Sequence, residues 1–215
     1  MSASYLTVAA EATAEIEVRR SRFLCRVVHV ESEDAARQVV EQERRAHRDA
    51  RHHCWAFVLG PDGQVARSSD AGEPSGTAGA PMLEVLRGAE VSDVVAVVTR
   101  WFGGVLLGAG GLVRAYGDAV RAALQVAGTA RRREVAFWEV PAPVAAVGRL
   151  ENDLRSRGVL VRGTDYAATG EAAVLHLTAD PDVDLAALVA GATAGAVTAE
   201  RTGYGWSAED AAANP

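Results

Sequence analysis

A continuous apolar run leads straight into a cluster of glycines and then into an amphipathic helix. The run VVAVVTRW, Val94–Trp101, is rich in β-branched residues and predicts a buried strand. The next segment, Gly103–Gly111, holds five glycines in nine residues. Apolar residues then recur at helical spacing from about Leu112 to Val126. This order predicts either an anion-binding cradle at the start of the helix or tight packing of the helix on the strand.

The preceding residues alternate between strand and helix patterns. Ser32, followed by Glu33 and Asp34, has the residue chemistry of a helix start. Pro81 suits the first turn of a later helix. Strands are predicted at 13–18, 22–30 and 53–59, helices at about 32–46 and 79–86, and a loop at 67–76.

A second domain is indicated beyond Gly128 and the run Arg131–Arg133, where the pattern restarts. Strands are predicted at 135–140, 159–166, 172–177 and 197–204, with helices to about 155 and 190. This βαββαβ order is the ferredoxin-like plan. We therefore predict an α+β protein with domains at 1–130 and 131–206 and a disordered tail at 207–215.

Charge is unevenly distributed along the chain, whose net charge is −6. Residues 100–133 contain six arginines and one acid, and residues 44–53 contain four arginines and three histidines with one acid. Residues 60–99, between them, contain six acids and two arginines. Either basic block could face an anion.

Several classes of protein are excluded or disfavoured by composition. No apolar run approaches the ~20 residues of a membrane helix, and residues 1–17 lack the features of a signal peptide. The cysteines, Cys25 and Cys54, are too few for a disulfide framework. We expect a cytoplasmic protein with reduced thiols, no membrane contact and no disulfide partner; the sequence leaves the oligomeric state open.

His52, His53 and Cys54, at the start of the third predicted strand, are residue types that bind metal ions. Alternation along a strand places His52 and Cys54 on one face and His53 on the other, so the three side chains cannot bind one ion. We expect Cys54 in the core and one histidine near the basic surface. No metal and no cofactor are predicted.

The loop DAGEPSG offers candidate acid–base groups. His53, Asp70 and Ser75 could form a hydrolytic triad, but the segment does not match the G-x-S-x-G pattern of a nucleophile elbow. A structural role is the alternative, in which Asp70 and Glu73 pair with nearby cations. The candidate cations are Arg51 and Arg100.

The aromatic residues beside Arg100 are candidate stacking surfaces for nucleic-acid bases. Alternation allows only one of Trp101 and Phe102 to point outward. Arg114 and Tyr116 lie two positions apart on the following helix, about 200° around its axis, so they cannot serve one patch.

Three motifs carry a resemblance to a known family. They are ARHHCWA at Ala50–Ala56, SDAGEPSGTAG at Ser69–Gly79 and RWFGGVLLGAGGLVRAY at Arg100–Tyr116. In this order and spacing they resemble the IMPACT family, and in particular its bacterial members of the YigZ type. The resemblance is strong over residues 5–128 and weaker beyond.

The resemblance implies a fold more than an activity. The first domain would be similar to the α+β fold shared by a small-subunit ribosomal protein and domain IV of elongation factor G. The second would be similar to the ferredoxin-like domains of elongation factor G. The extra N-terminal domain through which eukaryotic relatives bind a kinase activator has no counterpart before the matched motifs, so that interaction is not carried over.

We therefore predict a translation-associated protein that binds RNA or a ribosomal component through its first domain. Two alternatives remain open: a small enzyme acting on an anionic metabolite in the same cleft, with Asp70, Glu73 or His53 as acid–base groups, and a protein–protein interaction module. The predicted anion-binding residues are Arg51, His52, His53, Arg100, Gly103, Gly104, Gly108, Gly110, Gly111 and Arg114. The predicted loop supports are Asp70, Glu73, Ser75 and Thr77.

Overall fold

The computed structural model describes residues 3–208, which form ten strands and five helices. The strands are β1 (Ser4–Val8), β2 (Ala12–Val18), β3 (Ser21–His29), β4 (His52–Leu59), β5 (Val65–Ser69), β6 (Val94–Trp101), β7 (Thr129–Pro143), β8 (Leu160–Tyr166), β9 (Ala172–Ala179) and β10 (Glu200–Ala208). The helices are α1 (Glu33–Ala46), α2 (Gly79–Gly88), α3 (Ala109–Ala127), α4 (Val144–Ser156) and α5 (Leu185–Thr193). The α+β class is confirmed.

The described residues divide into two compact units, residues 5–131 and residues 132–208 together with 3–4. The first, the N-terminal unit, is built on a sheet with the order β2-β3-β6-β4-β5, in which every neighbouring pair is antiparallel. Helix α1 packs on one face of this sheet, while α2 and α3 pack on the other.

The position of β6 at the centre of the sheet explains why its sequence does not alternate between apolar and polar residues. Val94, Ala96 and Val98 contact the core beneath α2 and α3, while Val95 and Val97 contact the core beneath α1. Because both faces of the strand are covered, all five positions are apolar. The predicted strand matches the observed one.

Helix α1 begins where its cap was predicted. The Ser32 hydroxyl accepts a hydrogen bond from the Ala35 N–H at 3.2 Å, and Glu33 and Asp34 lie in the first turn. An N-cap side chain satisfies one of the free N–H groups at a helix start, and the acids favour the positive end of the helix dipole.

The C-terminal unit has the predicted βαββαβ order, β7-α4-β8-β9-α5-β10. Within this unit the strands pair in the order β7-β9-β8, and β10 also pairs with β7. Helices α4 and α5 share one core with the inward residues of β7 and β9, such as Trp138, Val140 and Leu175. The likeness of the N-terminal unit to domain IV of elongation factor G stays a prediction.

Three local expectations differ from the structure. The segment predicted as a loop at 67–76 begins within β5, an edge strand whose polar residues hide the strand pattern. Strand β1 was not predicted. Strand β10 continues through Ala208, two residues into the predicted disordered tail, and the rest of that tail, 209–215, lies outside the described residues.

Of the helices that the structure describes, none combines the length and the apolar content needed to cross a bilayer.

Candidate functional site

The Asp70 carboxylate organises the loop between β5 and α2. It accepts hydrogen bonds from the backbone N–H groups of Gly76, Ala78 and Gly79 at 2.8–2.9 Å. Burial acts to raise the pKa of Asp70, but these three donors outweigh it, and the pKa lies below its usual value of 3.8. Ala78, the N-cap residue of α2, has no side-chain acceptor. The Asp70 carboxylate, which lies earlier in the chain, therefore accepts the free N–H groups at the start of α2 in its place.

The Glu73 carboxylate lies in the interior beneath that loop. Its Oε1 accepts hydrogen bonds from Arg100 Nη1 at 2.6 Å and from the Tyr116 hydroxyl at 2.7 Å. The Glu73 and Arg100 side chains are only 4% and 7% exposed. The expectation of pairing with a nearby cation is confirmed for Glu73, with Arg100 rather than Arg51 as its partner, but not for Asp70, which accepts from backbone N–H groups instead.

Cys54 extends this buried polar cluster. Its thiol lies 2.9 Å from the Asp70 carbonyl and 3.3 Å from the Tyr116 hydroxyl. Burial raises the pKa of Cys54 to about 12, and it also raises the pKa of the Tyr116 phenol. Both groups therefore remain protonated at neutral pH and act as structural donors, so the cluster holds no thiolate nucleophile.

The two histidines lie on opposite faces of β4, as alternation predicted. His52 is half-buried, with Nδ1 3.1 Å from the Ala71 carbonyl. His53 is buried on the α1 face, with Nε2 3.2 Å from the His47 carbonyl. Desolvation lowers the pKa of His53, so it is held neutral at physiological pH.

A hydrolytic triad is not assembled. His53 lies on the α1 face, whereas the Asp70 carboxylate is engaged by the start of α2 on the opposite face. Ser75 is exposed on the loop, and Thr77 is buried with its hydroxyl donating to the Pro74 carbonyl at 2.6 Å. Among the residues described, no group of three or more His, Cys, Asp or Glu is placed to hold a metal ion.

The glycine-rich stretch forms the connection between β6 and α3. The Gly103 N–H donates to the Ser21 hydroxyl at 3.2 Å, and a Cβ at Gly103 would lie only 2.1 Å from the Arg20 backbone. Gly104 and Gly108 have φ angles of +83° and +74°, which favour glycine. The loop is thereby held against the turn between β2 and β3.

An exposed surface surrounds this loop, which we call the glycine-loop face. Its apolar members include Phe102 and Leu106, which are 53% and 81% exposed. Its basic members come from the β2–β3 turn and from α3, and Arg19 donates to the Leu106 carbonyl at 3.4 Å. The face comprises Arg19, Arg20, Phe102, Val105, Leu106, Val113 and Arg114.

Arg100 was predicted to bind an anion at this face and does not lie on it. The residue is 6% exposed, and its guanidinium is held by Glu73 and by the Ser21 hydroxyl. Arg51, in contrast, is exposed, and it precedes His52, whose register partner is Arg100. Arg51 therefore lies at the same end of the sheet as the loop.

The aromatic pair is divided as alternation predicted. Trp101 is half-buried, and its Nε1 donates to Asp49 at 2.7 Å while Arg22 lies over its ring at 4.7 Å. Phe102 is the exposed member. On α3, Tyr116 points inward to Glu73 while Arg114 is exposed, which confirms that the two serve different surfaces.

Sequence reasoning missed Arg19 and Arg20. Both have positive φ angles in the β2–β3 turn, more than 80 residues before the loop that they approach. Only the antiparallel pairing of β3 with β6 brings the turn to the loop. The two adjacent arginines between predicted strands were the one available signal.

The chain is similar to several known proteins. The profile described as the Impact N-terminal domain matches residues 19–124. The chain is 48% identical to the IMPACT family member YigZ of Escherichia coli K12 over 167 residues, 77% of this chain and 82% of that protein. It is 40% identical to the IMPACT family member YvyE of Bacillus subtilis 168 over 168 residues, 78% and 77% of the two chains.

Two solved structures are also similar. A crystal structure described as that of a hypothetical protein covers 93% of this chain and 97% of its own, with 36% identity and a TM-score of 0.66. The structure of the two-domain translational regulator Yih1 covers 55% and 47%, with 26% identity and a TM-score of 0.33, so the comparison of folds rests on the first. Because YigZ and YvyE each match more than three quarters of its length at 40% identity or more, the chain belongs to the IMPACT family and is of the YigZ type.

Proposed function

We propose that this protein acts in translation by binding RNA or a ribosomal component through the glycine-loop face together with Arg51. The observation that carries the proposal is a set of exposed arginines without acidic partners. Among residues 3–208, none of the salt bridges involves Arg19, Arg20, Arg51 or Arg114. Of the exposed arginines elsewhere in this unit, Arg22, Arg37 and Arg67 pair with glutamates, whereas Arg45, Arg48 and Arg87 also lack a salt bridge among the described residues. The four arginines are therefore distinguished by their place at the glycine-loop end of the unit as well as by the lack of an acidic partner.

Unpaired arginines at one end of a sheet suit a polyanion. The guanidinium fork matches two phosphate oxygens, and several such contacts release counterions from RNA. Helix α3 adds a favourable dipole, because its first turn contains no acid and its N-cap, Gly108, has no side chain. The net charge of −6 does not oppose this, since the acids lie mainly elsewhere in the sequence.

The proposal assigns Arg100 a supporting role rather than a phosphate contact. A buried arginine already engaged by Glu73 and Ser21 cannot reach a polyanion without leaving Glu73 unpaired in the interior. The variant that tests RNA binding must therefore alter exposed arginines and leave Arg100 in place.

The enzymatic alternative has less support than binding. Asp70 is occupied by three backbone donors, Glu73 by Arg100 and Tyr116, and His53 lies on the other face of the sheet. A protein partner is a second candidate, because Phe102, Val105, Leu106 and Val113 form an exposed apolar group. A salt titration distinguishes RNA binding from binding to a protein partner.

The test is a salt titration of binding to purified ribosomal subunits and to structured RNA. The variant Arg19→Gln/Arg20→Gln/Arg114→Gln is compared with a matched control, Arg37→Gln/Arg87→Gln/Arg121→Gln, which removes the same charge from other exposed sites. We expect wild-type affinity to fall with salt with a log–log slope of about −0.7 to −0.9 per phosphate contact. The triple variant should bind weakly with a slope smaller by about 2, and the control should resemble the wild type.

Two results would count against RNA binding. A wild-type affinity that does not change with salt concentration would show that phosphate contacts do not contribute to binding. Equal losses in the triple variant and in the control would show a general charge effect rather than a site. Salt-insensitive binding to subunits without binding to naked RNA would favour the protein partner.

A further inference from the structure

Phe102 is an exposed aromatic ring on the glycine-loop face, next in sequence to Gly103, which contacts the backbone of Arg20. It directly follows β6 and is 53% exposed, although a phenylalanine ordinarily lies in the core. The guanidinium carbon of Arg100 lies 5.8 Å from the centroid of its ring. Phe102 thus has a buried cation on one side and solvent access on the other.

The supporting cation is fixed from several directions. Arg100 bonds to Glu73 at 2.6 Å and to the Ser21 hydroxyl at 3.4 Å, and it lies 5.3 Å from the ring centroid of Phe23. Since Arg100 is buried, it cannot swing into solvent. Its place beneath Phe102 is therefore set by the core of the unit and not by a ligand.

The backbone beside Phe102 is equally constrained. Gly103 is tied to the Ser21 hydroxyl and approaches the Arg20 backbone so closely that no side chain fits. An aromatic surface held in place before binding loses little conformational entropy when a ligand stacks on it. The same contacts place Phe102 next to the turn that carries Arg19 and Arg20.

We propose, on the basis of the function proposed above, that Phe102 is a base-stacking residue and that this site selects RNA with unpaired bases. An unpaired nucleotide presents the two features that the face complements: a flat π-surface for Phe102 and flanking phosphates for Arg19, Arg20 and Arg114. A continuous duplex presents only phosphates. Arg100 is the positioning residue that holds the Phe102 ring.

The experiment uses the full chain with two RNA probes. One is a single-stranded oligoribonucleotide of mixed sequence carrying one 2-aminopurine, and the other is a fully paired duplex of the same sequence. The variants are Phe102→Ala, Phe102→Leu and Phe102→Trp, with Tyr166→Ala as a control at an aromatic residue of similar exposure in the C-terminal unit. Affinity, salt slope and 2-aminopurine fluorescence are measured for each.

We expect Phe102→Ala to weaken binding of the single strand by about 5-fold to 150-fold, the range seen when one stacking aromatic is removed. The salt slope should stay unchanged, because the arginines remain. Phe102→Leu should behave like Phe102→Ala, whereas Phe102→Trp should restore affinity. Duplex binding should change by less than about 2-fold in every variant.

Arg100→Lys tests the positioning role separately. Lysine keeps the positive charge beside Glu73 but lacks the planar guanidinium. We expect less 2-aminopurine quenching at saturating protein, together with an unchanged salt slope. If Arg100→Lys gives full 2-aminopurine quenching at saturation, Arg100 does not position the stacking ring. The readout is specific, because a loss of stability alone does not alter the spectrum of the saturated complex.

Failure of this proposal is distinguishable from failure of RNA binding. Salt-dependent binding that is unaffected by Phe102→Ala, or equal losses for single strand and duplex, would overturn stacking and leave the arginine contacts standing. The absence of wild-type binding to both probes would overturn the proposed function and stacking together. Full rescue by Phe102→Leu would mean an apolar contact, such as that of a protein partner, and would also overturn stacking.

Discussion

At the scale of single residues, two arginines that look alike in the sequence have opposite environments. Arg100 is buried and paired, while Arg114, in the same glycine-rich motif, is exposed and has no salt bridge within residues 3–208. The difference decides what each substitution tests. A change at Arg114 alters the surface, whereas a change at Arg100 leaves the Glu73 carboxylate without its cation in the interior.

We predict that Arg100→Ala destabilises the protein by about 3–5 kcal/mol, the range for breaking a buried ion pair from one side. Denaturant unfolding measures the loss, and Arg87→Ala, at an exposed position, should stay within about 0.5 kcal/mol of the wild type. The double variant Arg100→Met/Glu73→Leu should recover part of the loss, because neither charge is then left unpaired. A loss under 0.5 kcal/mol for Arg100→Ala would contradict this account.

Asp70 gives a pH-dependent prediction. Its pKa is lower in the folded protein than its usual value of 3.8, so its ionised form stabilises the fold above that value. This contribution is lost as the pH falls below about 3.8 and through the folded pKa. Asp70→Asn should cost about 1–2 kcal/mol at pH 7, in line with the loss of a helix cap. The gap between the two proteins should narrow below pH 4, as followed by urea unfolding at several pH values; a constant gap would rule out the carboxylate as its cause.

At the scale of elements, the glycines of the β6–α3 connection have different roles. Gly103 permits a close approach of two backbones, and Gly104 and Gly108 supply positive φ angles. Gly110 lies in the first turn of α3, where an added Cβ would meet nothing within 4 Å. The tight-packing interpretation of the sequence therefore applies to Gly103, while the anion cradle at the start of α3 stays a prediction.

We predict opposite effects for two matched substitutions in this loop. Gly103→Ala should lower thermal stability, because its Cβ would overlap the Arg20 backbone and displace the loop from the β2–β3 turn. Gly110→Ala should leave stability unchanged or raise it by up to about 1 kcal/mol, because alanine favours the helix. Calorimetric melting of both variants tests this, and a destabilised Gly110→Ala would indicate a backbone contact at that position.

At the scale of the whole molecule, the two units have separate cores. The buried clusters of the N-terminal unit lie within residues 8–127, and that of the C-terminal unit lies within residues 136–197. Since none of the buried residues that the structure describes belongs to both clusters, we propose that the boundary predicted at 130/131 separates two domains.

This domain boundary predicts the behaviour of a fragment. Residues 5–131 expressed alone should unfold in one cooperative transition and should keep the salt-dependent RNA binding of the full chain, because the fragment contains the whole glycine-loop face and its core. Circular dichroism and the binding titration measure both properties. A fragment without a cooperative transition would argue against independent folding, and a folded fragment that does not bind would move the RNA site beyond the N-terminal unit.

The sequence by itself determined the order of the elements apart from β1 and β5, the α+β class, the Ser32 cap and the opposite faces of His52 and His53. These features depend on periodicity and capping over a few residues, which the sequence shows directly. The tertiary structure alone decided that Arg100 is buried, that Glu73 accepts hydrogen bonds from both Arg100 and Tyr116, and that the turn with Arg19 and Arg20 contacts the glycine loop. Those outcomes depend on the pairing of β3 with β6 and the packing of α3, because desolvation of a charge is fixed by neighbours that lie far away along the chain.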